Sequence, residues 1–233
     1  MIHEGILFVT GTGTGVGKTI VTAAVAALAS EAGQRVAVVK LAQTGVQPGQ
    51  HSGPGSDIPD LETITRLSGV TDVHELARFP DPLSPEAAAR VSGLPEVDFA
   101  RARGLIEGAG GLLVRYDSGG ATLADLAVAL SEQGLDAPAL IVTAAGLGTL
   151  NHTALTLEAA AARKVTVAGV VIGSWPRDPG LAERENLIDL EILIGGPLAG
   201  VLPEGSSALG AREFRAVARA GLAPSLGGSR VCN

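Results

Sequence analysis

Two kinds of segment alternate along the chain. Short apolar runs occur at Ile6–Thr10, Arg35–Lys40, Ala139–Thr143, Val165–Ile172 and Leu198–Leu202. Runs of this length between Gly, Pro or charged residues predict strands buried on both faces. Gly104–Glu107 predicts the end of another strand. Between these lie stretches rich in Ala and Leu that predict helices: Lys18–Ala32, Leu61–Ser68, Glu86–Ser92, Leu123–Glu132, Leu150–Arg163 and Leu181–Ile194. The first ends at Gly33, a residue suited to close a helix. Val46–Pro59 is dense in Gly, Pro and Ser and predicts a loop, and Pro80, Pro82 and Pro85 interrupt the chain before the Glu86 helix. Alternating strands and helices predict an α/β fold, with a doubly wound, mainly parallel sheet flanked by helices and joined by right-handed crossovers. No repeat or linker divides the chain, so residues 1–233 are expected to form a single domain, with the tail 206–233 undetermined.

Composition narrows this picture. Apolar residues make up 46% of the 233 and aromatics only 3%, so the core must be aliphatic and alanine-rich. The net charge of −7 argues against nucleic acid and anionic membranes as partners. A nucleotide needs only a local positive spot. The one cysteine, Cys232, allows neither a disulfide within the chain nor a cysteine-based metal site. The start, Met1 to Gly5, lacks the basic end and apolar core of a signal peptide, and no apolar run has the length of a membrane span. The expected location is the cytoplasm.

The chemistry begins at residues 11–19, Gly-Thr-Gly-Thr-Gly-Val-Gly-Lys-Thr, between the first strand and the first helix. A phosphate-binding loop needs bare backbone N–H groups, a lysine that reaches the β/γ-phosphates, and a hydroxyl for Mg2+ at a helix start. Gly13, Gly15 and Gly17 supply the backbone, Lys18 the charge and Thr19 the hydroxyl. Thr14, Val16 and Ile20 complete the nucleotide-binding stretch. The strict pattern puts glycine five positions before Gly17; Thr12 stands there, with Gly11 one residue early. The alternative is a glycine-rich turn with an incidental Lys-Thr.

A second group of residues clusters at other strand ends, where ligands of open α/β sheets bind. Lys40, with Gln43, Thr44 and Gly45 behind it, ends the second strand. Glu107 precedes Gly108, Ala109, Gly110 and Gly111, and is placed as a Mg2+ ligand. Asp60 is the second candidate carboxylate, with Asp57 competing. Alone, Lys40 also reads as a solvated strand end, and a loop aspartate as a cap.

Five segments then occur in order: 11–19, Lys-Leu-Ala-Gln-Thr-Gly at 40–45, Glu-Gly-Ala-Gly-Gly at 107–111, Gly-Leu-Gly-Thr-Leu-Asn-His at 146–152, and Gly-Val-Val-Ile-Gly-Ser-Trp at 169–175. Together they resemble the ATP-dependent dethiobiotin synthetases in their actinobacterial form, over residues 5–205. The resemblance implies a P-loop NTPase fold and a Mg2+- and ATP-dependent ligase of biotin biosynthesis. It would join CO2 to the two amines of 7,8-diaminopelargonic acid and release dethiobiotin, ADP and phosphate. It implies Lys18 and Lys40 as catalytic cations, Thr19, Asp60 and Glu107 at the metal, and Thr44 at the substrate. It also implies a homodimer in which Leu147, Gly148, Leu150 and Asn151 offer backbone N–H groups to the substrate carboxylate; read alone, that segment is a strand–helix turn. Gly108, Ala109, Gly110, Gly173, Ser174, Pro203, Glu204 and Gly205 would line the nucleotide.

Two departures stand out. Some members carry Asn-Asp where this chain has Gly173-Ser174, so base discrimination should weaken and nucleotides other than ATP should serve. The stretch before Glu107 is also short by about a dozen residues, roughly three helical turns. A parallel strand needs a crossover of about a dozen residues or more, so the expectation is that residues dropped out there, which leaves the placement of Glu107 open.

Two other functions fit parts of the pattern. A partition-type ATPase switch often carries an extra lysine early in the loop, and membrane-bound ones end in a basic amphipathic helix; neither is expected here. An amide-forming ATPase with a glutaminase would need more length and a reactive Cys-His pair.

Overall fold

The computed structural model describes residues 5–46, 58–102 and 104–231. Asp57, Cys232 and most of the Val46–Pro59 loop lie outside them. Among the described residues are nine strands and seven helices, in the order β1 Leu7–Gly11, α1 Lys18–Glu31, β2 Val38–Lys40, β3 Gln43–Thr44, α2 Asp60–Ser68, β4 Val73–Glu75, β5 Arg78–Phe79, α3 Pro85–Ser92, β6 Leu105–Gly111, α4 Leu123–Glu132, β7 Ala139–Thr143, α5 Thr149–Ala162, β8 Val167–Trp175, α6 Leu181–Ile194, β9 Gly200–Pro203 and α7 Ala211–Gly221. Seven strands form one parallel sheet in the order β4-β2-β6-β1-β7-β8-β9, and β3 pairs with β5 separately. The predicted doubly wound α/β architecture is present.

The order explains the buried apolar runs. β1 sits at the centre, between β6 and β7, and all five of its residues are buried. Helix α1 is buried on most sides, under α2 and α7 on one face and β1 on the other, which its run of Ala and Val allows. On the opposite face α3 and α4 pack with Tyr116 and Phe8, and α5 and α6 cover β7 and β8.

Several expectations need correction. The Gly108–Gly111 stretch lies within β6 instead of forming a loop; the ladder with β1 is irregular after Glu107, with Gly110 at φ 69°, and pairs again at Gly111 with Gly11. The short stretch before Glu107 does not disturb its register. The connection from β4 to β6 carries β5, α3 and a 3-10 turn at Phe99–Arg101, and Glu107 pairs with Lys40 and with Val9. The tail carries α7, an amphipathic helix with Arg212, Arg215 and Arg219. Its apolar residues Phe214 and Ala218 are buried in the core around α1, so the helix offers no free apolar face to a membrane.

Candidate active site

The phosphate loop lies between β1 and α1. Gly15 and Gly17 take left-handed backbone angles (φ 75° and 94°), and a Cβ on Gly17 would come within 2.6 Å of the Gly173 carbonyl oxygen. Only glycine fits both constraints there. The first turn of α1 holds no acidic residue and has no side-chain cap, so its N–H groups and dipole stay available to an anion. Lys18 lies against the loop, donating to the Gly13 carbonyl at 2.8 Å. Burial, helped by the nearby Lys40 charge, lowers its pKa to about 8.

Lys40 is buried between two carboxylates. Its Nζ lies 2.5 Å from Asp60 Oδ2 and 2.9 Å from Glu107 Oε1. Burial opposes its charge, but Glu107 and Asp60 outweigh that and hold the ammonium protonated. Asp60 is half-buried; burial raises its pKa, but Lys40 outweighs that and keeps its carboxyl below the usual range. Glu107 is fully buried, and burial pushes its carboxyl up against the pull of Lys40. Three elements bring the cluster together. β2 and β6 are register neighbours at Lys40 and Glu107. Asp60 opens α2, its N–H held by the Gln43 side chain at 3.0 Å.

The donor set suits a divalent cation. Thr19 Oγ1 lies 2.9 Å from Asp60 Oδ1 and 3.0 Å from Glu107 Oε1. A hydroxyl has one proton and serves one of these oxygens at a time. Glu107 Oε2 is buried with no hydrogen-bond partner. Two carboxylates and a hydroxyl, open to phosphate oxygens and water, match what Mg2+ takes at nucleotide sites. Among the described residues no group of three or more His, Cys, Asp or Glu offers an all-protein cage.

These groups share one cleft of about 840 Å³, lined by Thr14, Gly15, Gly17, Lys18, Thr19, Ile20, Lys40, Thr44, Asp60, Glu107, Ala109 and Gly110. Its far wall is Pro82, Leu83, Ser84 and Pro85, with Val114. Sequence reading missed that wall. The three prolines look like mere interruptions, but Pro82 and Pro85 line the cleft, and β3 and β5 bring Pro82 beside Gly45, where a Cβ would touch it at 3.3 Å. Tyr116 was missed as well. Its buried hydroxyl accepts from the Ala109 N–H at 2.6 Å and steadies the backbone that follows Glu107; burial pushes its pKa up to about 12. No motif announces it, because it acts through backbone seven residues away.

Other expected residues lie elsewhere. Pro203, Glu204 and Gly205 line a separate cleft of about 470 Å³ with Trp175, Arg177 and Leu209. Arg66 of α2 holds its rim by donating to the carbonyls of Ser207 (2.5 Å) and Leu209 (3.0 Å). Gly173 abuts the phosphate loop from behind, and Ser174 is exposed. Val16 and Gly108 are packed inward. Leu147, Gly148, Leu150 and Asn151 form the head of α5 and do not line the main cleft; Leu147 is 89% exposed.

A family model described as "AAA domain" matches residues 6–209. The chain is similar to the ATP-dependent dethiobiotin synthetase of Frankia casuarinae, 59% identical over 96% of this chain and 94% of the relative. It is 56% identical to that of Rhodococcus jostii, over 91% and 92%. Among solved structures, the cell division protein FtsY of Thermotoga maritima matches with a TM-score of 0.50 at 15% identity, covering 93% of this chain and 69% of that one. That likeness shows the fold alone.

Proposed function

The chain belongs to the ATP-dependent dethiobiotin synthetase family, and we propose that the cleft between the phosphate loop and the Lys40–Asp60–Glu107 cluster performs that family's reaction, with residues 1–233 acting as one catalytic unit. One amine of diaminopelargonic acid adds to CO2 and loses a proton to give a carbamate. ATP phosphorylates the carbamate oxygen and leaves as ADP. The second amine attacks the carbonyl carbon of the mixed anhydride and loses a proton, phosphate departs, and the ureido ring closes.

The observation that carries this reading is the meeting of Lys18, Lys40, Thr19, Asp60 and Glu107 around a single opening. Phosphoryl transfer is mainly positioning and electrostatics, so the fixed cations matter most. Lys18 faces the β/γ-phosphates from the loop. Lys40 is the charge best placed for the carbamate and the γ-phosphate together, and its two carboxylates keep it protonated and immobile. Thr19, Asp60 and Glu107 would hold Mg2+, which when bound neutralises phosphate charge as a Lewis acid. Thr44 and the Pro82–Pro85 wall bound the substrate end.

We place the substrate carboxylate on the Leu147–Asn151 turn of a second subunit. The exposed side chains Leu113, Leu147 and Leu155 around that turn support a homodimer interface. No helix among the described residues is long and apolar enough to cross a membrane; the proposed location is the cytoplasm.

The test is direct: protein, diaminopelargonic acid, bicarbonate, Mg2+ and ATP are mixed and dethiobiotin is sought by mass. Well-folded protein that makes none sinks the reading. Base selectivity is the second measurement. With glycine at 173 no side-chain amide reads the base there, so CTP, GTP and ATP are expected to turn over at comparable rates. Strict ATP dependence would overturn that part.

A further inference from the structure

The phosphate loop departs from the strict motif at Thr12, and the structure shows what stands in that place. The crowded position is Gly11, where a Cβ would lie 2.8 Å from Val16 Cγ2 and 3.0 Å from the Gly13 carbonyl oxygen. Position 12 is free of that constraint. Thr12 is absent from the cleft lining, and its N–H donates to the Val142 carbonyl at 2.9 Å. Its hydroxyl lies 3.3 Å from that of Thr143, the last residue of β7. Thr143 is fully buried, and its hydroxyl also meets Thr149 at 2.7 Å and Thr153 at 2.8 Å, both on α5.

Counting protons gives the junction a direction. Each hydroxyl carries one. Thr149 gives its own to the Ala144 carbonyl at 2.6 Å. Thr143 therefore donates to Thr149, and Thr12 and Thr153 donate to Thr143. The turn that receives this chain is held from the other side by Asn186 of α6. Its amide donates to the carbonyls of Ala145 (2.8 Å) and Gly146 (3.0 Å). Three successive carbonyls, 144 to 146, are thus fixed by side chains, and the junction has a rigid anchor.

We propose that Thr12 and Thr143 are positioning residues that lock the phosphate loop to the head of α5, so that the departure from glycine serves nucleotide affinity. The proposal rests on the reading that this loop binds the nucleotide. Neither residue touches substrate; both act through the backbone of residues 12–17. The Thr12 contact is the longest of the three, so the expected effect is several-fold.

The test is a set of variants read by KM, kcat and melting temperature. Thr12→Val and Thr143→Val each raise the KM for ATP about 3- to 10-fold, with kcat changed less. The double variant is no worse than Thr143→Val alone, because that substitution already removes the link to Thr12. Thr12→Ser stays within about twofold of the parent. Thr12→Gly, which restores the strict motif, binds ATP more weakly than the parent. Multiplicative KM effects in the double variant, or unchanged KM with only a lower melting temperature, overturn the proposal. If Thr143→Val does not fold, the Thr12 series decides: equal KM for Val and Ser rejects the link. Lys18→Ala is the control for the underlying reading. An unchanged ATP KM there removes the loop from nucleotide binding, whatever the threonines do.

Discussion

Lys40→Ala protein is expected to make dethiobiotin about 100- to 1,000-fold more slowly than the parent, while its ATP affinity moves by less than about tenfold. The asymmetry follows from position. In the proposed mechanism Lys18 and the loop amides hold the phosphates from one side, and they remain. Lys40 reaches the cleft from β2 on the other side, where in the proposed mechanism the carbamate meets the γ-phosphate. A cation fixed before the reaction is worth most where charge develops.

The substitution has a second effect, which the experiment must separate. Lys40 neutralises Asp60 and Glu107, and Glu107 is fully buried. Removing one partner from a buried charge cluster typically costs about 3–5 kcal/mol. The variant should therefore melt lower than the parent, with part of the loss restored by Mg2+ bound between the two carboxylates. Turnover by product mass and ATP affinity by calorimetry, both at saturating Mg2+ and below the melting transition, isolate the catalytic effect. Full activity in the folded variant would remove Lys40 from the mechanism.

The second large effect concerns Gly173. It looks like a position where asparagine has merely been lost, so that Gly173→Asn should sharpen base selectivity. The packing predicts the opposite. A Cβ at 173 would lie 2.2 Å from the Val16 carbonyl oxygen, 2.6 Å from Val142 Cγ1 and 3.1 Å from the Gly17 Cα. The first two are closer than any real contact, and two of the three atoms belong to the phosphate loop. Either the loop shifts or β8 does.

Gly173→Asn, and Gly173→Ala as the smaller probe, should lower kcat/KM about 100-fold or more for every nucleotide, because about 1 Å of misplacement at a transferring group costs that much. Overpacking should also cost about 1–3 kcal/mol, or several degrees in melting temperature. A steady-state comparison of ATP, CTP and GTP reads the result. A variant with normal kcat/KM and new preference for ATP would mean that the backbone yields there and that the close approach is not what keeps glycine in place.

The phosphate loop could be read in full because all its parts are local. Strand, glycines, Lys18, Thr19 and helix follow one another within about thirty residues, and each has a chemical reason to be there. The helix Leu181–Ile194 was likewise found at its true ends, in spite of β-branched residues, because Gly180 and Gly195 bracket it. Strand β4 was not seen. Val73, His74 and Glu75 lie at the sheet edge, half exposed, so no apolar run marks them. Helix α7 was missed because its short apolar face is hidden among arginines and gains meaning only against α1 and α2.

The sequence by itself determined the parallel α/β layering, the anion-binding loop and the candidates Lys40, Asp60 and Glu107, because period, glycine placement and charge type are properties of short segments. Which candidates meet was decided by the tertiary structure. Sheet order sets Lys40 beside Glu107 across 67 residues, α2 swings Asp60 under Lys40, and β3 with β5 carry Pro82 and Ser84 over the opening. The same packing turns Thr12 toward Thr143 and presses Gly173 against the loop. Contacts of this kind depend on strand order and register, which no local pattern encodes.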